Sequence, residues 1–219
     1  MFKLLKRIID LIIASIALII LSPILIPIII ILKLTGEHEV FYFQKRIGYK
    51  NQAFNIYKFA TMVKNSPNIG TGVITLRNDP RVTTMGKFLR KSKINELPQI
   101  INVLKGDMSI VGPRPLMQES FDFYNDKVKQ HIYDSKPGMT GIGSLIFRDE
   151  EKMVSESEDP KFMYSQVIYP YKGELELWYQ KNASLITDFK IIFLTGWSIL
   201  FPSNKLSNSF FKNLPPRTF

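Results

Sequence analysis

The 219-residue chain contains no cysteine, which excludes disulfides, thiolate nucleophiles and cysteine-ligated metals. It has two histidines, His38 and His131, too few for a histidine-rich metal site. Acidic residues are also short: 19 Asp and Glu stand against 29 Lys and Arg, a formal charge of +10. Such a balance favours anionic partners, namely nucleic acid, anionic lipid or phosphorylated small molecules. No basic-aromatic repeat of the RNA-binding kind is present, and no nucleic-acid-binding motif supports the first of these. Internal repeats and low-complexity tracts are absent. What remains for chemistry is carboxylates, hydroxyls, lysine and arginine.

The apolar residues are concentrated at one end. Ile8 to Leu32 is a run of 25 residues whose one charge is Asp10. About 20 apolar residues suffice to cross a bilayer. Ser22-Pro23 and Pro27 fall in the middle of the run, where proline removes a backbone hydrogen bond and bends a helix. Ile8–Ser22 would cover only about 22 Å at ~1.5 Å per residue, less than the ~30 Å hydrocarbon core. Lys3, Lys6 and Arg7 precede the run, and Lys33, Lys45 and Arg46 follow it. Positive flanks at both ends place both on the cytoplasmic side, so a re-entrant helix-break-helix hairpin over 1–35, with Ser22 and Pro23 at the break, is expected over a full span. No small-residue cleavage site follows, so a cleaved signal peptide is not expected. Asp10 needs a partner at that depth, and Arg7 on the same helical face is the nearest.

Beyond the run, 36–201 reads as one polar α/β domain, and 202–219 as a basic, frayed tail. Residues 39–59 alternate like two strands around a turn at Gly48 to Asn51. Loop follows over 64–80, then a basic helix carrying Lys87, Arg90, Lys91 and Lys93. An amphipathic helix is expected over 117–134, a glycine-rich loop over 136–144, and a mobile acidic stretch over 152–160. A helix is expected over 161–182 and an interfacial helix over 186–201.

The densest polar cluster is Lys93-Ile94-Asn95-Glu96-Leu97-Pro98-Gln99, running to Gly112-Pro113-Arg114-Pro115. Asn95 suits an N-cap, and Glu96 a first-turn carboxylate held ionised by the helix dipole. Gly106 suits the helix stop. Arg114, framed by two prolines, suits a bidentate phosphate contact.

These motifs carry a resemblance. Phe43-Gln44-Lys45-Arg46-Ile47-Gly48, Tyr57-Lys58-Phe59, Asp79-Pro80-Arg81-Val82-Thr83, Asn95-Glu96-Leu97-Pro98-Gln99, Gly106-Asp107-Met108-Ser109-Ile110-Val111-Gly112-Pro113-Arg114-Pro115 and Lys136-Pro137-Gly138-Met139-Thr140-Gly141 occur together. Over about residues 3 to 201 the chain resembles the bacterial sugar transferases called monotopic phosphoglycosyl transferases. The resemblance implies a mixed, helix-rich α/β fold on a re-entrant membrane helix, at the cytoplasmic face of the bacterial inner membrane. It implies transfer of sugar-1-phosphate from a UDP-sugar to polyprenyl (undecaprenyl) phosphate with Mg²⁺ as cofactor and release of UMP. That is the first membrane step of glycan assembly, with downstream glycosyltransferases as further partners and no role for nucleic acid. It also implies an Asp-Glu dyad whose Asp is the nucleophile, and here the chain departs: Glu96 matches the Glu, but Asn95 stands in the place of the Asp. Four readings stay open: a natural variant that still transfers, an inactivated member, a hydrolase on the same substrates, and a silent scaffold. In the first, Glu96, or a carboxylate from Asp149, Glu150 or Glu151, replaces the Asp, or the lipid phosphate attacks directly. On these grounds Glu96, Asn95, Asp149 and Glu150 are the catalytic candidates, Glu96 the metal ligand, and Arg114, Arg148, Arg81 and Lys58 the phosphate candidates.

Overall fold

The computed structural model describes residues 2–69, 79–201, 210–217 and 219. Of the loop expected over 64–80, residues 70–78 lie outside the described residues, as do 202–209 and 218 of the tail.

The apolar run forms one helix, α1, Phe2–Leu34. The expected break is absent from its secondary structure: Ser22, Pro23 and Pro27 all lie inside it. Pro23 cannot donate to the carbonyl of Ile19 four residues earlier. The Ser22 hydroxyl donates to that carbonyl instead, at 2.7 Å. So the Ser-Pro pair satisfies the freed acceptor within a continuous helical run, the kind of local repair that makes proline tolerable in apolar helices. Among the described residues α1 alone is long and apolar enough to cross a membrane.

One stripe of α1 packs on the rest of the chain. Asp10, Ala14, Leu25, Ile28 and Leu32 are buried at helical spacing, while Ile12, Ile16, Ile19, Ile20 and Ile24 on the other side are exposed. Ala14 joins a core with Ile56, Ile100, Val103 and Met108; Leu25, Ile28 and Leu32 join another with Phe59 and Leu89.

The hairpin expected over 39–59 is present. β1, Phe41–Ile47, pairs antiparallel with β2, Ala53–Phe59, around a turn at Tyr49–Asn51. The basic helix follows as α2, Thr84–Lys91, capped by the Thr83 hydroxyl, which accepts from the Gly86 amide. α3, Gln99–Lys105, ends at Gly106, whose φ of 95° is the left-handed stop expected of it. β3, Ser109–Val111, comes next.

The helix expected over 117–134 is two short ones: α4, Gln118–Phe121, and α5, Asp126–His131. Asn125 separates them, accepting from the Val128 amide as a fresh N-cap. The glycine-rich loop contains a strand, β4, Gly138–Thr140, parallel to β3, and then α6, Ile142–Ile146. The acidic stretch expected to be mobile contributes α7, Glu150–Ser155, and leads into α8, Pro160–Phe162. After a π turn at Met163–Ile168 the chain forms α9, Tyr169–Asn182, and α10, Leu185–Leu200. The tail expected to be frayed is docked where it is described: Phe211 is buried, and the Pro215 carbonyl accepts from the Tyr171 hydroxyl.

Asp10 fixes α1 to this body, with different partners from those expected. Its carboxylate accepts from the Ser109 hydroxyl at 2.7 Å and the Ile110 amide at 3.0 Å. Arg7 instead donates to the carbonyls of Val103 and Leu104, at the C-terminal end of α3. One turn earlier, Lys6 meets Asp188 of α10 at 2.6 Å. Removing the carboxylate leaves the buried Ser109 hydroxyl, at about 1–3 kcal/mol, and the half-buried Ile110 amide without their partner. Asp10→Ala is therefore expected to lower the thermal unfolding midpoint in detergent by several degrees, with Asp10→Asn intermediate. Melts followed by circular dichroism check this.

Candidate active site

Three separate pieces of chain bring charge around Glu96. The first is the hairpin, where Arg46 of β1 and Lys58 of β2 lie on the same face by strand parity. The second is the segment between α2 and α3. Lys93 takes a left-handed φ of 59°, and Ile94–Glu96 forms a single 3₁₀ turn before the helix begins at Gln99. This corrects the sequence reading: Asn95 makes no capping bond, and Glu96 is not in the first turn of α3. Pro98, with no amide hydrogen to give, separates the turn from the helix. The third piece is the Gly112-Pro113-Arg114-Pro115 loop.

That loop is held by backbone. The Gly112 amide donates to the Thr140 carbonyl and the Gly138 amide to the Pro113 carbonyl, at 2.9 and 2.8 Å. A side chain at Gly112 or Gly138 would lie 2.3 or 2.1 Å from the opposite backbone, so both glycines are required by close approach. The glycine-rich motif thus serves strand pairing, and through it the placement of Arg114. Tyr133, fully buried, finishes the clamp: its hydroxyl donates to the Arg114 carbonyl at 2.8 Å and accepts from the Leu116 amide at 3.1 Å. Burial pushes its ionisation well above the usual phenol range.

At the meeting point Glu96 Oε1 lies 3.5 Å from Lys58 Nζ and 3.7 Å from Arg114 Nη2. Burial works to raise the Glu96 pKa, but the charges of Arg114, Lys58 and Lys93 outweigh it and hold the carboxyl below its ordinary value. Side-chain cations, not a helix dipole, keep it ionised. Lys58 shows the opposite balance: desolvation dominates the pull of Glu96, and its pKa falls to about 8, with Arg46 and Arg114 adding to the fall. Arg46 is the residue that sequence reasoning passed over. Its guanidinium donates to Gln44 at 2.6 Å, while its buried Nε has no partner. Desolvation and Arg114 lower its pKa. The available signal was its place in β1, two residues before the turn glycine and in register with a strand bearing Lys58. Asn95 is also left incomplete: its amide oxygen is buried without a partner.

Arg46, Lys58, Lys93, Asn95 and Glu96 line one cleft of about 680 Å³, with Arg90 and the aromatic side chains of β1. The lining holds five cations, Arg46, Lys58, Lys64, Arg90 and Lys93, against three carboxylates, Glu37, Glu39 and Glu96, so its formal charge is positive in a partly desolvated space, a setting that suits phosphate oxygens. Among the described residues no group of three or more Asp, Glu and His could hold a metal by itself. Mg²⁺ commonly takes one or two carboxylates plus substrate phosphates. Glu96 fits that role: both of its ion-pair contacts go to Oε1, so Oε2 carries neither.

The other sequence candidates are placed elsewhere. Arg81 is buried, bound to Asp79 through both carboxylate oxygens and donating to the carbonyls of Ser66 and Ile69, so it holds its own loop. Arg148 is exposed. Asp149 pairs with Arg217 at 3.0 Å, and Glu150 pairs with Lys172 at 2.6 Å. None of these four is among the residues lining the cleft. Beside Glu150 and Lys172 sits Glu176, buried and raised to about 7 by desolvation against the charge of Lys172 and the Gly143 amide.

A family profile described as bacterial sugar transferase matches residues 1–202. The undecaprenyl-phosphate galactose phosphotransferase of Salmonella typhimurium is 34% identical over 90% of the chain and 41% of its own length. The UDP-glucose:undecaprenyl-phosphate glucose-1-phosphate transferase of Escherichia coli is 35% identical over 88% of the chain and 39% of its own length. The exopolysaccharide production protein ExoY of Sinorhizobium fredii is 32% identical over 87% of the chain and 83% of its own length. The chain therefore spans about two fifths of the first two relatives and about four fifths of the third.

Lys58 makes the cleft sensitive to pH. It is cationic below about 8 and neutral above. UMP serves as a probe because a phosphate monoester has completed its second ionisation (pKa ~6) by pH 7.5. UMP affinity is expected to fall as pH rises through about 8. In Lys58→Arg, whose charge persists above pH 12, that fall should disappear. Calorimetric titrations from pH 7.5 to 9 check both.

Proposed function

The chain belongs to the bacterial sugar transferase family, and from that premise we propose that it transfers sugar-1-phosphate from a UDP-sugar to undecaprenyl phosphate, releasing UMP. The observation that carries the reading is a cleft of about 680 Å³, lined by Arg46, Lys58 and Glu96 and large enough for a nucleotide-sugar, with Arg114, outside that lining, 3.7 Å from Glu96. Donor and acceptor are both phosphates, and the cost of bringing them together is electrostatic. Preorganised cations in a partly desolvated site lower that cost without rearranging during the reaction. Arg114, half exposed, grips diphosphate oxygens; Lys58 and Arg46 hold the phosphoryl group from the hairpin side. Glu96 pairs with Lys58 and Arg114 and holds them near each other, and it is the residue that would hold Mg²⁺. That ion, when bound, neutralises diphosphate charge. Asn95 places a neutral amide beside the reacting groups.

The membrane supplies the acceptor. α1 exposes isoleucines along its free side, and α10 exposes Ile186, Phe189, Phe193, Ile199 and Leu200. The Lys6–Asp188 pair joins these helices, and on this reading their apolar sides lie in the cytoplasmic face of the bacterial inner membrane.

In detergent or vesicles with Mg²⁺, UMP is expected from at least one of UDP-galactose, UDP-glucose and UDP-N-acetylgalactosamine, and only when undecaprenyl phosphate is added. UMP without acceptor would point to hydrolysis, and no UMP from a broad donor panel would point to a scaffold. Arg114→Ala and Arg46→Ala are each expected to reduce kcat/KM by about 10²-fold or more, the scale of losing one charge-stabilising donor. Arg148→Ala is expected to leave it within about threefold, as exposed surface substitutions commonly do.

A further inference from the structure

We propose that the transfer is a direct in-line displacement, in which a phosphate oxygen of the lipid acceptor attacks the sugar-bearing phosphorus and no phosphosugar–protein adduct forms. The inference rests on the transferase reading above and concerns how that site works.

It starts from where the carboxylates are. A covalent route needs a carboxylate oxygen available at the cations. Asp149 and Glu150 are paired with Arg217 and Lys172, and neither is among the residues lining the cleft. Glu37 and Glu39 also line the cleft, but Glu39 pairs with Lys64 at 3.3 Å and, among the described residues, neither pairs with Arg46, Lys58 or Arg114. Residue 95, next to Glu96 in the same 3₁₀ turn, carries an amide, which has no anionic oxygen to give. Glu96 is left, with Oε1 held between Lys58 and Arg114 and Oε2 the oxygen that would face Mg²⁺. With one oxygen between two cations and the other facing the metal, this carboxylate serves as their counterion and has no oxygen left over as a nucleophile.

The acceptor needs no such help. A phosphate monoester is already anionic at neutral pH, so its attack requires no general base. What it requires is relief from repulsion by the donor diphosphate. Arg46, Lys58 and Arg114 against Glu96 leave a net charge of about +2 for that purpose, counting formal charges. An aspartate at position 95 would remove one of these units and set a second carboxylate against the incoming phosphate. Asn95 keeps the charge available. Its buried, unpartnered amide oxygen offers an acceptor for a hydroxyl of the bound donor.

The step balances without proton transfer. A P–O bond forms from the acceptor phosphate oxygen to the sugar-bearing phosphorus. The bond from that phosphorus to the bridging oxygen breaks, and its electron pair leaves on the oxygen as UMP.

The test is isotope exchange. The full chain is incubated with Mg²⁺, labelled UMP and each of UDP-galactose, UDP-glucose and UDP-N-acetylgalactosamine, with and without undecaprenyl phosphate, and intact protein mass is recorded. Direct displacement requires that no label enters the UDP-sugar and no protein mass is gained until the acceptor is present. Label entering the donor without acceptor, at a rate matching turnover, or a mass gain of one sugar phosphate, overturns the inference and leaves the transferase reading standing. Failure to release UMP from any donor with acceptor present overturns both.

Discussion

One partly desolvated carboxylate among three cations organises the working end of this protein. Glu96, Lys58, Arg46 and Arg114 are drawn from a strand pair, a 3₁₀ turn and a proline-framed loop, and none of these pieces is adjacent to the others in sequence. Like charges cannot be gathered this way unless the backbone beneath them is fixed, because the side chains themselves would spread. The fixing is done by neutral, buried groups. Asn102, wholly buried, accepts from the Tyr57 amide and donates to the Asn55 carbonyl, locking β2 to α3 beside Lys58. Tyr133 clamps the Arg114 loop, and Gly112 and Gly138 let two backbones meet closely enough to hydrogen bond. The charged site is supported by hydrogen bonds that carry no charge and do not weaken with salt.

The same economy links the site to the membrane face. β3 leads directly into the Arg114 loop, and its first two residues are the ones Asp10 holds. α1 is therefore tied to the candidate site through two hydrogen bonds, and through Arg7 on carbonyls in the last turn of α3. An apolar helix that is pinned by a buried carboxylate cannot slide along the domain without exposing unpaired donors, which fixes the cleft relative to the helix's exposed apolar side. Lys6 and Asp188 extend that restraint to α10.

Much of this was legible in the chain. The apolar run, the hairpin, the basic helix, the Gly106 stop and α10 each follow from local chemistry: hydrophobic period, turn residues and caps act within a few positions. The pairing of Glu96 with a phosphate-suited Arg114 was also readable, because both lie in one short polar motif. Where local reading failed, a competing local signal decided. Asn125 restarted a helix inside 117–134, and Ser22 supplied the hydrogen bond that kept α1 helical through Pro23.

The sequence alone determined the kind of chemistry available: without cysteine, with two histidines and with an amide at position 95, charge neutralisation by Lys and Arg is what this chain has to offer. Tertiary structure decided which charges do it. Arg46 and Arg81 look alike in sequence, each an arginine in a polar motif. Folding sent Arg81 to Asp79 inside its own loop and brought Arg46 to the cleft with an unpartnered nitrogen. It likewise committed Asp149 and Glu150 to partners outside the cleft lining. Such assignments depend on contacts between residues tens of positions apart, and residue type and spacing carry no record of which pairings the packed backbone will allow.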